Sequence, residues 1–414
     1  MTRDKSRVVI TGVGVVAPNG IGREEFAAAL RSGKSGIRPI TAFDTTGLNS
    51  RIAGQAQDFD PEDYLGKKEV RRSERFVQMA VAAAQMALAD ASLDLGTVPA
   101  EDVGVTLGSG MGSFARTEKE CKILFTQGAA RISPTYMATT IPNIAAAQVA
   151  ITLGLKGYLG TTVTACAAGT QAICEASLLL ASGQAQVMFA GGTEANVSPL
   201  CMGSFCNMGA LSRNNENPAG ACRPFDRDRD GFVIAEGAGV VVLETRERAV
   251  RRGARIYAEI VGFGVTSDAY HLTAPDPEAG GMRRAMQRAL ARIRPEDIDY
   301  INAHGTGTAL NDALETEAIK VVFGDRARRL AVSSTKSMIG HTLSAAGAIE
   351  VIATLLAMEQ GFIPPTINYH HPDPACDLDY VPNVARSGNI RYALSNSFGF
   401  GGQNASIALG RTDH

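Results

Sequence analysis

A chain of 414 residues, 45% hydrophobic and 20% charged, is too long for one ordinary core and has the make-up of a globular protein, so two domains or a duplicated fold is expected. Its formal net charge of −2 supplies no global pull toward nucleic acid or an anionic membrane, which argues against both as partners. The seven cysteines (121, 166, 174, 201, 206, 222 and 376) form no CxxC pair, so neither a zinc site nor a disulfide framework is indicated, and their odd number fits a reducing cytosol.

The N-terminal MTRDKSRVVITGVG runs straight into a strand, without the apolar region and cleavage site of a signal peptide, and a cytoplasmic setting is expected. Strands are predicted at 7–11, 103–107, 187–190, 240–244, 257–263, 300–302 and 405–409. Between them lie helices at 23–32, 72–91, 144–153, 167–182, 280–291 and 345–360. Alternation at these lengths predicts a layered α/β architecture, and the alanine-rich, nearly uncharged helices are expected to be buried between sheets. No 18-residue apolar run is read; the most apolar long helix, 166–182, carries Gln171 and Glu175 and is expected in the core.

An internal echo points to duplication. CAAGTQAICEASLLLASG (166–183) lies on SAAGAIEVIATLLAMEQG (344–361) without a gap, sharing Ala-Ala-Gly near the start, leucine at 178 and 356, and a closing glycine. A strand leading into glycine-rich sequence recurs in the same order at 103–112 and 300–308. The expected halves are 1–255 and 256–414.

Three reactive side chains stand in frames of small residues: Cys166 in TACAAGT, His304 in NAHGTGT and His341 in KSMIGHTLSAAG. Such frames let substrate and backbone approach closely and supply amide donors. A thiol with two imidazoles suits acyl transfer through a thioester and then stabilisation of a carbanion-like partner. Cys166 directly precedes a helix, whose amides and dipole favour a thiolate and are expected to lower its pKa. His304 falls at the carboxyl end of a strand, where α/β folds place ligands. His271, His370, His371 and His414 lack such frames and read as surface or structural, as the other six cysteines read as small buried hydrophobes.

Lys336 lies five residues before His341, and Glu350 nine after it; the pair is placed to tune the histidines, although a solvated lysine is the plainer reading. The segment NSFGFGGQN (396–404) either aims an amide at an oxyanion, with Phe398 and Phe400 as apolar walls, or makes a tight turn before the last strand. Both roles are compatible. The basic run KKEVRRSER (67–75) is either a solvated face or a dock for an acidic carrier. Two further motifs fail on inspection. TGVGVVAP (11–18) matches a dinucleotide fingerprint, but Pro18-Asn19-Gly20 breaks the helix that would bind phosphate. DRDRDG (226–231) begins like a calcium loop, but its twelfth position is Gly237.

These residues resemble the β-ketoacyl-[acyl carrier protein] synthases of the thiolase-like superfamily, most closely the elongating synthase II type. The resemblance runs from VVITGVGVVAPNG through AGGTEA, RPFDRDRDGFV, GFGVTSDAYH, NAHGTGT and SSTKSMIGH to NSFGFGGQN. It implies a duplicated α/β fold of two mixed-sheet halves in five α-β-α-β-α layers, assembled as a homodimer. It implies decarboxylative condensation of an acyl chain held on Cys166 with malonyl-carrier, extending the chain by two carbons in fatty acid synthesis. By the same resemblance His304 and His341 assist decarboxylation and hold the enolate. Lys336 is structural and electrostatic, and the amides of Cys166 and Phe400 form an oxyanion hole, Phe400 also acting as a gate. Thr306 and Thr308 meet the pantetheine arm, Met111 shapes the acyl pocket, and Phe205, Phe398 and Gly401 join them in binding substrate. Lys67, Lys68, Arg71 and Arg131 are the implied docking residues for the carrier, which brings its own phosphopantetheine; no metal or other cofactor is implied.

Histidine at 341 argues against a thiolase and against the initiating synthases, and cysteine at 166 against a decarboxylase unable to condense. Two positions depart from the family pattern: Gln403, where GFGGTN is usual, and Gly209, where an arginine often faces the carrier. Gln403 lends some support to an alternative, a ketosynthase of a type II polyketide or specialised lipid pathway. From other classes, an NAD-dependent oxidoreductase and a calcium-binding module are weak rivals, separable by nicotinamide turnover and by a calcium-induced melting shift.

Overall fold

The computed structural model describes residues 7–412; His414 and the first six residues lie outside them. Every predicted strand and helix is present. The strands of the main sheet lie in the order Ala331–Ser333, Tyr300–Asn302, Tyr392–Gly399, Gln403–Gly410, Ala258–Ser267, Val8–Ala17, Gly237–Thr245, Val187–Glu194, Val103–Gly108, Leu159–Thr162, with Gly20–Ile21 paired off the path. Numbered by sequence within each half, five strands run in the order third, second, fourth, fifth, first. In both halves the first two neighbour pairs are parallel and the next two antiparallel. Two sequences with this shared order and sense form a duplicated fold, joined where Val9 and Ile10 pair with Glu259 and Ala258.

The duplication reaches single residues. The first strand of each half carries a Gly-x-Gly whose glycines are pressed against an outer helix. A Cβ on Gly12 or Gly14 would lie 2.3 Å from Ala87 O or 2.0 Å from Ala83 O, on the helix Arg75–Asp90. A Cβ on Gly262 or Gly264 would lie 2.2 Å from Ala289 O or 2.1 Å from Ala285 O, on the helix Gly280–Ala289. The dinucleotide-like TGVGVVAP is therefore a packing surface: its glycines admit a helix backbone, not a phosphate.

Ala168–Ala181 and Ala346–Gln360 form the central layer. They cross where Gly169 and Gly347 meet the partner backbone, a Cβ on Gly169 lying 2.9 Å from Ala348 N. The second helix is buried from Ala346 to Met358, which its composition without lysine or arginine requires. Outside the two halves of the sheet lie Arg75–Asp90 against the first and Gly280–Ala289 against the second, completing five layers. Among the described residues one helix, Leu343–Gln360, is by length and composition apolar enough to cross a membrane, and 89% of it is buried. The most apolar long stretch is thus this helix and not 166–182, and it is a core element.

The NSFGFGGQN segment makes the expected tight turn before the last strand. Residues through Gly399 complete the strand Tyr392–Gly399, a short turn covers Phe400–Gly402, and Gln403 already opens the final strand. The alternative of a calcium loop at 226–231 also has a structural answer. The Asp226 carboxylate accepts the backbone N–H groups of Asp228, His370 and His371 at 2.6–2.9 Å, and so organises a turn.

Candidate active site

A cavity of about 550 Å³ draws its walls from both halves and brings together Met111, Cys166, Phe205, His304, Thr306, Thr308, His341, Phe398 and Phe400. Chain geometry explains how. The edge strand Leu159–Thr162 feeds a tight turn at Ala165–Ala167, from which the helix Ala168–Ala181 departs. Ala165 at φ +47° occupies the left-handed region, a strained setting costing on the order of 1–3 kcal/mol for a residue with a Cβ. The second half repeats the device: Leu343 at φ +51° precedes Ser344, the counterpart of Cys166, and the turn Leu343–Ala345 leads into the buried helix.

His341 Nε2 lies 3.1 Å from Cys166 Sγ. The Leu343 backbone N–H donates to His341 Nδ1 at 3.3 Å, which makes Nδ1 the acceptor and assigns the ring proton to Nε2. His304 stands edge-on to His341 with ring centroids 5.4 Å apart. Its main chain is held by Glu315, whose carboxylate accepts the N–H groups of His304 and Gly305 at 2.9 and 2.8 Å. Lys336 Nζ donates to His304 O at 2.6 Å and stands 3.3 Å from His304 Nδ1, while also pairing with Glu350. With the ammonium against Nδ1, His304 too carries its proton on Nε2. Two imidazoles therefore present Nε2–H donors.

Electrostatics fit this arrangement. Burial, reinforced by the Lys336 charge and for His304 by His341, holds both imidazoles well below the usual histidine range, so both are neutral at pH 7. Burial raises Glu315 to about 7 against the pull of the two backbone amides, and raises Glu350 to about 7 against the pull of Lys336. Cys166 departs from the sequence expectation. Burial pushes its thiol up to about 11, and the Lys336 charge and the Phe400 amide offset this only in part. The resting group is a thiol, because desolvation at the cavity floor outweighs the donors at the helix start.

The turn after Phe398 completes the floor. A Cβ on Gly399 would lie 3.0 Å from Cys166 N, so a larger residue would crowd the backbone where the Phe400 amide reaches Sγ. Phe398 packs edge-on to His304 at 5.9 Å, and the Phe400 ring is 37% exposed at the mouth. Thr306 and Thr308 share a 2.9 Å hydroxyl contact. Lys336 is buried behind His304 and does not line the cavity. Gly401 is also outside the lining: it is exposed, with its N–H donating to Leu272 O at 2.7 Å. Gln403 is half-buried and likewise absent from the lining, and Gly209, at φ +70°, ends the helix Pro199–Met208. Lys67, Lys68, Arg71 and Arg131 are exposed and outside the cavity lining.

Several members of the site escaped the sequence reading. Phe232 stacks edge-on against His341 at 5.4 Å, Asp268 and Asn404 join at 2.7 Å in the cavity wall, and Glu315 fixes the His304 loop. Only Glu315 had an available signal, as an acid inside the otherwise buried face of the helix Ala309–Phe323.

The comparisons agree with this geometry. The family model for the beta-ketoacyl synthase N-terminal domain matches residues 5–249, and that for the C-terminal domain residues 257–370. The chain is 47% identical over 408 residues to a protein of Synechocystis named 3-oxoacyl-[acyl-carrier-protein] synthase 2, covering 98% of each chain. It is 48% identical over 410 residues to the protein of that name from Coxiella burnetii, covering 99% of each. Among solved structures, the ishigamide ketosynthase/chain length factor superposes with a TM-score of 0.93 at 38% identity, over 98% of this chain and 99% of that one. A type II polyketide ketosynthase in complex with its acyl-carrier protein gives 0.90 at 39% identity, over 98% and 99%. A strained turn repeated in two halves, one copy holding Cys166 before two histidines, and family models spanning both halves lead to one conclusion: this chain belongs to the β-ketoacyl synthase family.

Proposed function

We propose that this enzyme is an elongating β-ketoacyl-[acyl carrier protein] synthase of fatty acid synthesis. The observation that carries the reading is the Cys166 thiol 3.1 Å from His341 Nε2, with His304 presenting a second N–H donor in the same cavity. In the first half-reaction Cys166 Sγ attacks the carbonyl carbon of an acyl thioester. The amides of Cys166 and Phe400 hold the oxyanion, a contact of the kind worth roughly 100- to 1000-fold in rate. The C–S bond to the carrier's pantetheine breaks, and that sulfur leaves with the proton given up by Cys166. In the second, malonyl thioester replaces the free carrier and its carboxylate departs as carbon dioxide. The electron pair passes to the thioester oxygen, where the two Nε2–H groups receive it. The resulting carbanion attacks the Cys166 thioester, the C–S bond breaks, Cys166 takes up one proton from solvent to regain its resting thiol, and a β-ketoacyl thioester two carbons longer leaves. No electron is gained or lost, so the cycle draws on no redox cofactor.

Neutral imidazoles suit this sequence, because their job is to donate to developing charge. Lys336 and Glu315 act as positioning residues, through His304. Met111, Phe205 and Phe398 supply the apolar wall against which an acyl chain packs, and Thr306 and Thr308 the polar contacts for the pantetheine arm. Support for an acyl carrier protein as partner comes from the related ketosynthase solved with one and from the exposed Lys67, Lys68, Arg71 and Arg131. A homodimer is supported by the unpaired edge strand Leu159–Thr162. On it, beside it and on the two helices packed against it, Ile151, Tyr158, Leu159, Val163 and Leu178 are exposed, apolar residues of the kind that mark an interface. We place the division between halves at 255/256, with the strand repeat as its support, and the enzyme in the cytoplasm. The polyketide reading is less favoured: the type II polyketide ketosynthase is 39% identical, against 47–48% for the synthase 2 relatives.

Reconstitution tests the proposal. Acyl-carrier and malonyl-carrier together are expected to yield carbon dioxide and a β-ketoacyl-carrier two carbons longer, with His304→Ala losing decarboxylation at least ~100-fold. Turnover only with a second, different ketosynthase subunit would reject the homodimeric fatty acid enzyme in favour of the polyketide reading.

A further inference from the structure

A second buried carboxylate, unused by the mechanism above, stands behind the apolar wall. Glu194 ends the strand Val187–Glu194 and is fully buried. The Gly110 N–H donates to its Oε2 at 2.9 Å, the Asn196 side-chain amide to its Oε1 at 2.6 Å, and the Met111 N–H and Ser344 hydroxyl complete the set. All four partners are donors, so both oxygens act as acceptors and the ionised form matches the set, although burial raises the group to about 7. Asn196 extends the grip. Its Nδ2 also donates to Gly112 O at 3.1 Å, and its Oδ1 accepts the Phe114 N–H at 3.0 Å. Every backbone tie from this pair falls on 110–114, the segment that carries Met111 into the cavity. The fit is close: a Cβ on Gly110 would lie 2.6 Å from Ser344 Oγ and 3.2 Å from Glu194 Oε2.

We propose that Glu194 is a positioning residue for acyl-chain selectivity, clamping Gly110 and Met111 together with Asn196 and Ser344 so that the Met111 side chain stands at one depth in the cavity. Ser344 gives the clamp its origin in the duplication. It occupies in the second half the place of Cys166 in the first, with the same strained residue before it, and there a hydroxyl donates to a carboxylate where the other half presents a nucleophile. The inference rests on the reading of this cavity as the acyl site.

The test uses the full-length enzyme and Glu194→Gln, Ser344→Ala and the double variant. It measures kcat/KM for acylation of Cys166 by hexanoyl- and palmitoyl-carrier, and separately carbon dioxide release from malonyl-carrier. Glutamine keeps the shape, but its NH2 must face either the Gly110 amide or Asn196, donor against donor. Glu194→Gln is expected to lower the palmitoyl-to-hexanoyl ratio about tenfold, with decarboxylation within ~2-fold of the parent. Ser344→Ala is expected to lower the ratio less, and the double variant to match Glu194→Gln alone, since the hydroxyl acts through the carboxylate. An unchanged ratio in both single variants, or fully additive effects, would overturn the clamp. Should Glu194→Gln fail to fold, Ser344→Ala decides alone, and an unchanged ratio there rejects the proposal. A parent enzyme that neither donor acylates would instead overturn the function reading, and the clamp with it.

Discussion

At the scale of single residues, the site depends on where protons sit. Leu343 N–H and Lys336 Nζ each occupy an imidazole Nδ1, so the catalytic edge of both rings is an N–H. Cys166 is the group that must change state. A thiol held at about 11 by burial is protonated through the neutral range, and its thiolate fraction rises with pH until the folded-state pKa is reached. Alkylation of Cys166 by iodoacetamide, followed by intact mass, is therefore expected to accelerate about tenfold per pH unit from 7 to 9. A plateau at or below pH 8 would show that the helix start and the Phe400 amide already hold a thiolate.

At the scale of elements, two glycine-bearing helices crossing at the centre hold the elbows in place. A Cβ on Gly347 would lie 2.0 Å from Thr170 Oγ1 and 2.7 Å from Ser397 Oγ, which are themselves hydrogen-bonded at 2.8 Å. Gly347→Ala must push the helices apart or break that pair, an overpacking worth on the order of 1–3 kcal/mol. A lower Tm and slower acylation of Cys166 are expected together. Gly203→Ala is the control: it lies in the helix Pro199–Met208 and a Cβ there meets nothing within 4 Å, so thermal unfolding should be unchanged or slightly later. Equal losses in both would contradict the crossing as the cause.

The same elements show what the sequence makes legible. Strands such as 187–190, all apolar and all buried, and the alanine-rich central helices declare themselves by composition, because burial on both faces favours apolar residues. Cys166, His304 and His341 are legible because reactive groups framed by glycine and alanine are unusual. The helix Phe114–Gln127, with only Glu120 buried, has no apolar face to read. Nor does any local pattern reveal that Phe232, from a separate segment, packs on His341, or that Glu194 reaches the Met111 segment. Those contacts are made by the order of strands, which pairing over long separations determines. The upward push on the Cys166 thiol has the same root: the helix start is visible in sequence, whereas the desolvation of the half-buried thiol at the cavity floor is not.

At the scale of the molecule, the edge strand Leu159–Thr162 shortly precedes Cys166 and opens on the exposed Leu159, with exposed Tyr158 and Val163 flanking it, so assembly and catalysis are expected to be coupled. The parent enzyme should sediment at twice the chain mass. Leu159→Lys, which sets a charge on that edge, should shift it toward the monomer and slow acylation. A parent enzyme that is monomeric at micromolar concentration, or a Leu159→Lys dimer, would contradict this.

The central claim is that Cys166 carries the acyl chain, and intact-protein mass spectrometry after incubation with a long-chain acyl-carrier tests it most directly. One acyl adduct per chain is expected on the parent enzyme and none on Cys166→Ala, with the adduct discharged as a β-ketoacyl-carrier when malonyl-carrier is added. An adduct of equal extent on Cys166→Ala, or none on the parent with any acyl donor, would contradict the account.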